Sequence, residues 1–164
     1  MKDKVSRINN EFYKNFPEIY LKPSKVNKFL KKYTNEVEKE IKNKFLKLKL
    51  DKNFVIYANG GFGRKEIFPI SDIDISIVEK NKPKDFKNLE EFISFLWDQG
   101  YKVGHSVRTI SDIKKISKSD LKEYTSYLTR RPIISTNEMD KKINYALSTL
   151  WTKNNFYNAK YVEQ

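Results

Sequence analysis

Two aspartates one residue apart, Asp72 and Asp74, follow closely on a glycine-rich turn in residues 54–77, FVIYANGGFGRKEIFPISDIDISI. Both carboxylates fall on one face of an extended run whose other face carries Ile73, Ile75 and Ile77, because side chains alternate along a strand. Two like charges sharing a face repel unless a cation sits between their oxygens, and a hard divalent ion such as Mg²⁺ does this while also bridging to phosphate. Asp72 and Asp74 are therefore the expected metal ligands and catalytic carboxylates. Upstream, Gly60, Gly61 and Gly63 permit a tight turn whose amides can point at an anion, and Arg64 adds a forked cation suited to phosphate oxygens. Phosphate turn followed by paired carboxylates is a pattern for phosphoryl or nucleotidyl transfer.

The elements that must hold this chemistry follow from periodicity. Phe54 to Ala58 reads as a first strand and Ser71 to Ile77 as a second. Before them, Ser24 is the expected cap of a long helix reaching about Leu48, with Val26, Phe29, Leu30, Tyr33, Val37, Ile41, Phe45 and Leu48 at helical spacing. After them, Asn88 and Glu91 resemble a capping box, and Leu89, Phe92, Ile93, Leu96 and Trp97 predict the buried stripe of a helix that Gly100 ends. Lys102 to Ile110 predicts a third strand. Ser111 to Arg131 predicts one or two helices, with Ile113, Ile116, Leu121, Tyr124 and Leu128 inward and Pro132 as the stop. A last helix is expected over Glu138 to Trp151. The organisation predicted is an arm over 1–23, a catalytic domain over 24–135 that includes the leading helix, and a C-terminal helix within 136–164 packed on it.

Composition bounds the remaining possibilities. The 164 residues suit one domain, with 10 Tyr and 11 Phe supplying much of the core volume. No apolar run approaches the roughly 20 residues of a membrane helix, and Met1-Lys2-Asp3-Lys4 does not open a signal peptide. Without cysteine there is no disulfide framework, and a cytoplasmic setting with no membrane partner is expected. Lys and Arg number 33 against 21 Asp and Glu, a formal charge of +12, but the lysines are scattered, which argues against nucleic acid as the partner.

Two blocks resemble a known family. Gly60-Gly61-Phe62-Gly63-Arg64-Lys65-Glu66-Ile67-Phe68-Pro69-Ile70-Ser71-Asp72-Ile73-Asp74 is similar to the turn and D-x-D strand of the DNA polymerase β-like nucleotidyltransferases. Phe95 to Thr109, FLWDQGYKVGHSVRT, resembles the nucleotidyltransferase domain of the bacterial PII-protein uridylyltransferases. The likeness covers about residues 54–135 and implies an α/β (α+β) fold, a small mixed sheet flanked by helices. It further implies that Asp72 and Asp74 bind Mg²⁺, two ions in the family's chemistry, that Gly60, Gly61 and Arg64 hold the triphosphate, and that Ser71 supports their loop. The implied donor is UTP and the implied acceptor a tyrosine of a PII signalling protein, in nitrogen regulation. Phe62 and Lys65 depart from the family's common Tyr and Gly, and Thr129 stands where an acid is common, leaving Asp112 and Asp120 as candidates for a third carboxylate. Beyond Thr136 nothing resembles the family's uridylyl-removing or ligand-sensing ACT domains. A stand-alone transferase with another acceptor, and a non-catalytic regulatory relative, are the alternative readings.

His105, Ser106 and Arg108 lie in the second block and are expected to contact nucleotide. On a strand, Ser106 and Arg108 share one side, while His105 and Thr109 share the other. Spacing leaves open which side meets the nucleotide, and His105 could equally be a core residue or hydrogen-bond an aspartate.

Overall fold

The computed structural model describes residues 22–162 together with Asn10 and Lys14. The predicted arm therefore lies outside the described residues, apart from these few positions. A long helix α1 (Pro23–Lys47) and a 3-10 turn (Leu50–Lys52) lead into β1 (Phe54–Ala58). A one-turn helix α2 (Gly60–Gly63) and a loop carry the chain to β2 (Ile73–Glu79), then α3 (Lys87–Asp98) and β3 (Val103–Arg108). Helices α4 (Ile110–Ser119) and α5 (Leu121–Leu128) precede β4 (Arg131–Ile134), and α6 (Asn137–Ser148) and α7 (Lys153–Val162) follow it. This is the expected small mixed sheet flanked by helices.

The strand order is β3-β2-β1-β4. β1 runs antiparallel to both its neighbours, whereas β2 and β3 are parallel, joined by the α3 crossover. β1 is buried along its whole length, as a strand covered on both faces must be. One face packs Ile56, Ile73, Ile75 and Ile77 against Val37, Ile41 and Phe45 of α1 and Phe92 and Leu96 of α3. The other packs Val55, Tyr57 and Val78 against Ile113 of α4, Tyr124 and Tyr127 of α5 and Ile143 and Leu147 of α6. Asp74 and Ser76 belong to this second face by alternation, yet α5 stands off from them and a cavity opens there.

Several local expectations change. α1 begins at Pro23 with Lys22 as a cap that offers no side-chain acceptor, so Ser24 is inside the helix; proline suits the first turn because its missing N–H is not needed there. The capping box at Asn88 does not form: α3 starts at Lys87, whose amide donates to Asp85 Oδ1, and the Asn88 side chain donates to Leu48 O. Trp97 and Leu128 are exposed, not inward; each lies in the last turn of its helix, and Trp97 rests against His105 of the edge strand β3. Arg131–Ile134 is a fourth strand and not a helix end. Pro132 is tolerated there because β4 is the sheet edge. The C-terminal helix is two, broken after Ser148, with Trp151 held by its Nε1 donating to Ser117 O.

Candidate functional site

The glycine segment closes as a single helical turn instead of an open loop. Gly63 N donates to Asn59 O at 2.7 Å and Arg64 N to Gly60 O at 3.1 Å, leaving the opening amides without intrahelical acceptors. Gly60 has φ +52°, the left-handed region that favours glycine. Gly63 serves packing, since a Cβ there would lie 2.9 Å from Ala58 O. Arg131 on β4 fastens the turn from behind: its Nε donates to Gly63 O at 2.8 Å, an Nη to Phe62 O at 3.2 Å, and the other Nη pairs with Glu38 Oε2 at 2.9 Å. Lys65, where the resemblance favours glycine, takes φ +63°.

Downstream of the turn, Phe68 and Ser71 exchange hydrogen bonds, Ser71 N to Phe68 O at 2.9 Å and Phe68 N to Ser71 Oγ at 3.2 Å, so Ser71 shapes the approach to the aspartates. Asp72 lies just before β2 and Asp74 within it, both exposed. Asp74 faces Gly104 across the parallel β2–β3 ladder. A Cβ on Gly104 would come 2.5 Å from Asp74 Oδ1, and one on Gly60 3.1 Å from Oδ2, so the carboxylate occupies space that two glycines vacate. Partial burial first, and the neighbouring Asp72 charge second, hold the Asp74 carboxyl above the usual carboxylate range.

Asp74 and Gly60 open into a cavity of about 510 Å³. Its sheet wall is Asn59, Ser76, Gly104, His105 and Ser106, and its other wall is α5, which presents Lys122, Thr125, Ser126 and Thr129. Those four recur at i, i+3, i+4 and i+7, one helical face. Glu123 also lines the cavity and pairs bidentately with Arg108, at 2.9 and 3.2 Å. The expected residues are thus divided. Gly60, Asp74, His105 and Ser106 border the cavity, while Gly61, Gly63, Ser71 and Asp72 support or flank it. Arg108 is engaged with Glu123, and Arg64 donates from Nε to Glu66 Oε2 at 2.9 Å on the surface, away from the cavity lining.

Register sets the two side chains on opposite faces of the sheet. Ser106 pairs with Ser76 on the Asp74 face, whereas His105 pairs with Ile75 and packs edge-on to Trp97 at 6.1 Å. Neither candidate third carboxylate fits that role. Asp112 accepts from the amide and hydroxyl of Thr109 in the capping box of α4, and Asp120 caps α5 by accepting from Lys122 N and Glu123 N. Thr129 borders the cavity, its hydroxyl donating to Thr125 O. Among the described residues no group of three or more His, Cys, Asp or Glu is gathered. Sequence reading missed Asn59, Ser76, Gly104 and the α5 face. The signals available were polar residues interrupting otherwise apolar strands, and the second, polar stripe on α5.

A mixed four-stranded sheet that presents a glycine turn beside a D-x-D pair is the arrangement that the resemblance implies for nucleotidyltransferases. In sequence the chain is related to the bifunctional uridylyltransferase/uridylyl-removing enzymes. The protein of that name from Haemophilus influenzae (strain PittEE) is 37% identical over 118 residues, covering 66% of this chain and 13% of the relative. Those of Pasteurella multocida (strain Pm70) and Acinetobacter baumannii (strain AYE) are 31% and 38% identical, over 70% and 66% of this chain. The matched part is about 13–14% of these relatives' length. No family model matches the chain. Among solved structures, a toxin–antitoxin crystal structure with AMP-PNP aligns over 74% of this chain and 90% of that one, at 17% identity and a TM-score of 0.44. No helix among the described residues is long and apolar enough to cross a membrane.

Proposed function

We propose that this chain transfers a nucleoside monophosphate from a nucleoside triphosphate to a hydroxyl acceptor, with UTP as donor and a tyrosine of a PII signalling protein as acceptor. The observation that carries the reading is the Asp72–Asp74 pair, with the Asp74 carboxylate seated between Gly60 and Gly104 at the lip of a polar cavity. Sequence relationship to uridylyltransferases supports the choice of UTP and of PII protein.

The donor set fits Mg²⁺: two hard carboxylates close enough that one raises the pKa of the other, a repulsion that a divalent cation relieves. Asp72 and Asp74 would hold the ion. When bound, Mg²⁺ supplies charge neutralisation to the phosphates as the α-phosphorus is attacked. The glycine turn offers backbone amides to the triphosphate, and Lys122 borders the cavity, which Arg64 does not. The acceptor oxygen forms a bond to the α-phosphorus, the bond to the β-phosphate oxygen breaks, pyrophosphate leaves, and the hydroxyl proton passes to solvent.

Incubation with each labelled ribonucleoside triphosphate, Mg²⁺ and a PII protein tests this. The expected result is label from UTP on the PII tyrosine. Label on a different acceptor in a cell extract would replace the acceptor, and no label from any triphosphate, with active-site aspartates intact, would overturn the reading.

A further inference from the structure

Asn59 follows β1 and precedes the glycine turn, across from Asp74, to whose carbonyl its amide donates at 2.9 Å. It is only 7% exposed, yet it borders the cavity. Its two side-chain ends differ. Nδ2 donates to Ser76 Oγ on the neighbouring strand. Oδ1 is fully buried and has no hydrogen-bond partner among the described residues. A buried acceptor left unmatched costs about 1–3 kcal/mol, so its retention at the wall of a ligand-sized cavity points to a donor that arrives with the ligand.

We infer that Asn59 is a specificity-determining residue of the nucleotide site, its Oδ1 accepting a hydrogen bond from a ribose hydroxyl of the bound nucleotide. This rests on the nucleotide reading above. Position selects the sugar: Asn59 adjoins both Gly60 and Asp74, the phosphate end of the site, and the sugar is the next group along a nucleotide. The Asn59 amide would then read the donor that distinguishes a ribonucleotide from its deoxy form. Ser106, which faces Ser76 across β2–β3, and Thr125 and Ser126 on α5 extend the same polar surface away from the aspartates. A site whose buried polar group is matched by a substrate hydroxyl rejects the analogue lacking it, because that group is left unpaired.

The test is calorimetric binding, with Mg²⁺, of each ribonucleoside triphosphate and its 2′-deoxy, 3′-deoxy and base N-methyl forms to the unmodified chain and to Asn59→Ala. The unmodified chain should bind one deoxy form at least about tenfold more weakly than the ribonucleotide, and Asn59→Ala should bind the two alike. The first comparison needs no variant, so it can overturn the inference even where Asn59→Ala fails to fold, and a folded Asn59→Ala that keeps the preference overturns it as well. Equal affinities for ribo and deoxy forms, as when a water satisfies Oδ1, would overturn the inference. So would a loss confined to the base-methylated forms, which would assign the donor to the base. Absence of binding by every triphosphate would instead sink the nucleotide reading itself.

Discussion

At Asp74 the chain places a carboxylate where two glycines make room, and that geometry yields two expectations. The first concerns charge. Because the folded-state pKa of Asp74 lies above its ordinary 3.8, the folded chain holds this proton more tightly than the unfolded chain does. The associated stability is fully present below pH 3.8 and is lost as pH rises through the raised value. Asp74→Asn should therefore raise Tm at neutral pH in the absence of divalent cation, with the gain vanishing as pH falls toward 3.8, and should abolish nucleotidyl transfer. Thermal melts across that range with EDTA, alongside transfer assays, check both; transfer within a few-fold of the parent by this variant or by Asp72→Asn would remove the metal assignment. The second expectation concerns space. In Gly104→Ala the new methyl would lie 2.5 Å from Asp74 Oδ1, and the carboxylate, being a mobile side-chain end, must swing away. The expected result is a loss of transfer of about tenfold or more with Tm nearly unchanged, since the cost falls on orientation and a displacement of this size is enough to misalign a reacting group. A large drop in Tm with the remaining activity intact would make Gly104 a packing residue instead.

Among the elements, the one-turn helix α2 depends on a strand that the periodicity did not reveal. β4 is four residues long and contains Pro132, so neither length nor composition marked it, and only its pairing as an edge strand explains both. Its first residue, Arg131, holds the Phe62 and Gly63 carbonyls and pairs with Glu38 of α1. Arg131→Met preserves much of the side-chain length but leaves those carbonyls without donors. It should cost about 2 kcal/mol of stability and weaken triphosphate binding, measured by urea denaturation and calorimetry. Unchanged binding at reduced stability would show that the turn keeps its shape without the clamp. The elements built on strong periodicity were legible: α1, β1, β2 and β3 lie where alternation and helical spacing put them. Helix starts were less so, because several residues can cap. Thr109 and Asp112 form the box that Asn88 and Glu91 do not: β3 ends at Arg108, next to the Thr109 cap, whereas a loop separates β2 from α3, whose start at Lys87 puts Asn88 inside the helix. The same holds for the site. The D-x-D pair was readable from spacing alone, whereas Gly104 and the α5 face enter it only through strand register and helix placement.

For the molecule as a whole, the relatives' name joins two activities, and the part of them matched here is about 13–14% of their length. The polar cavity and its carboxylates bear on addition of a nucleotide. A uridylyl-removing site of the kind the family resemblance implies calls for several imidazole and carboxylate ligands converging on a metal, each oriented by its own hydrogen bonds. The 164 residues contain one histidine, and it stands on β3 against Trp97. We therefore expect this chain, given uridylylated PII protein with Mg²⁺ or Mn²⁺ and no pyrophosphate, to release UMP no faster than a protein-free blank. Pyrophosphate is withheld because its addition would permit simple reversal of transfer and return UTP. Supplying it in a parallel reaction gives the positive control, since a chain competent in transfer should then regenerate UTP from the same substrate. UMP release well above the blank in its absence would mean that a hydrolytic site can be assembled without clustered imidazoles, with the Asp72–Asp74 pair as the place to look for it. If that release disappeared in Asp74→Asn, water would be established as an acceptor competing with tyrosine at the transfer site.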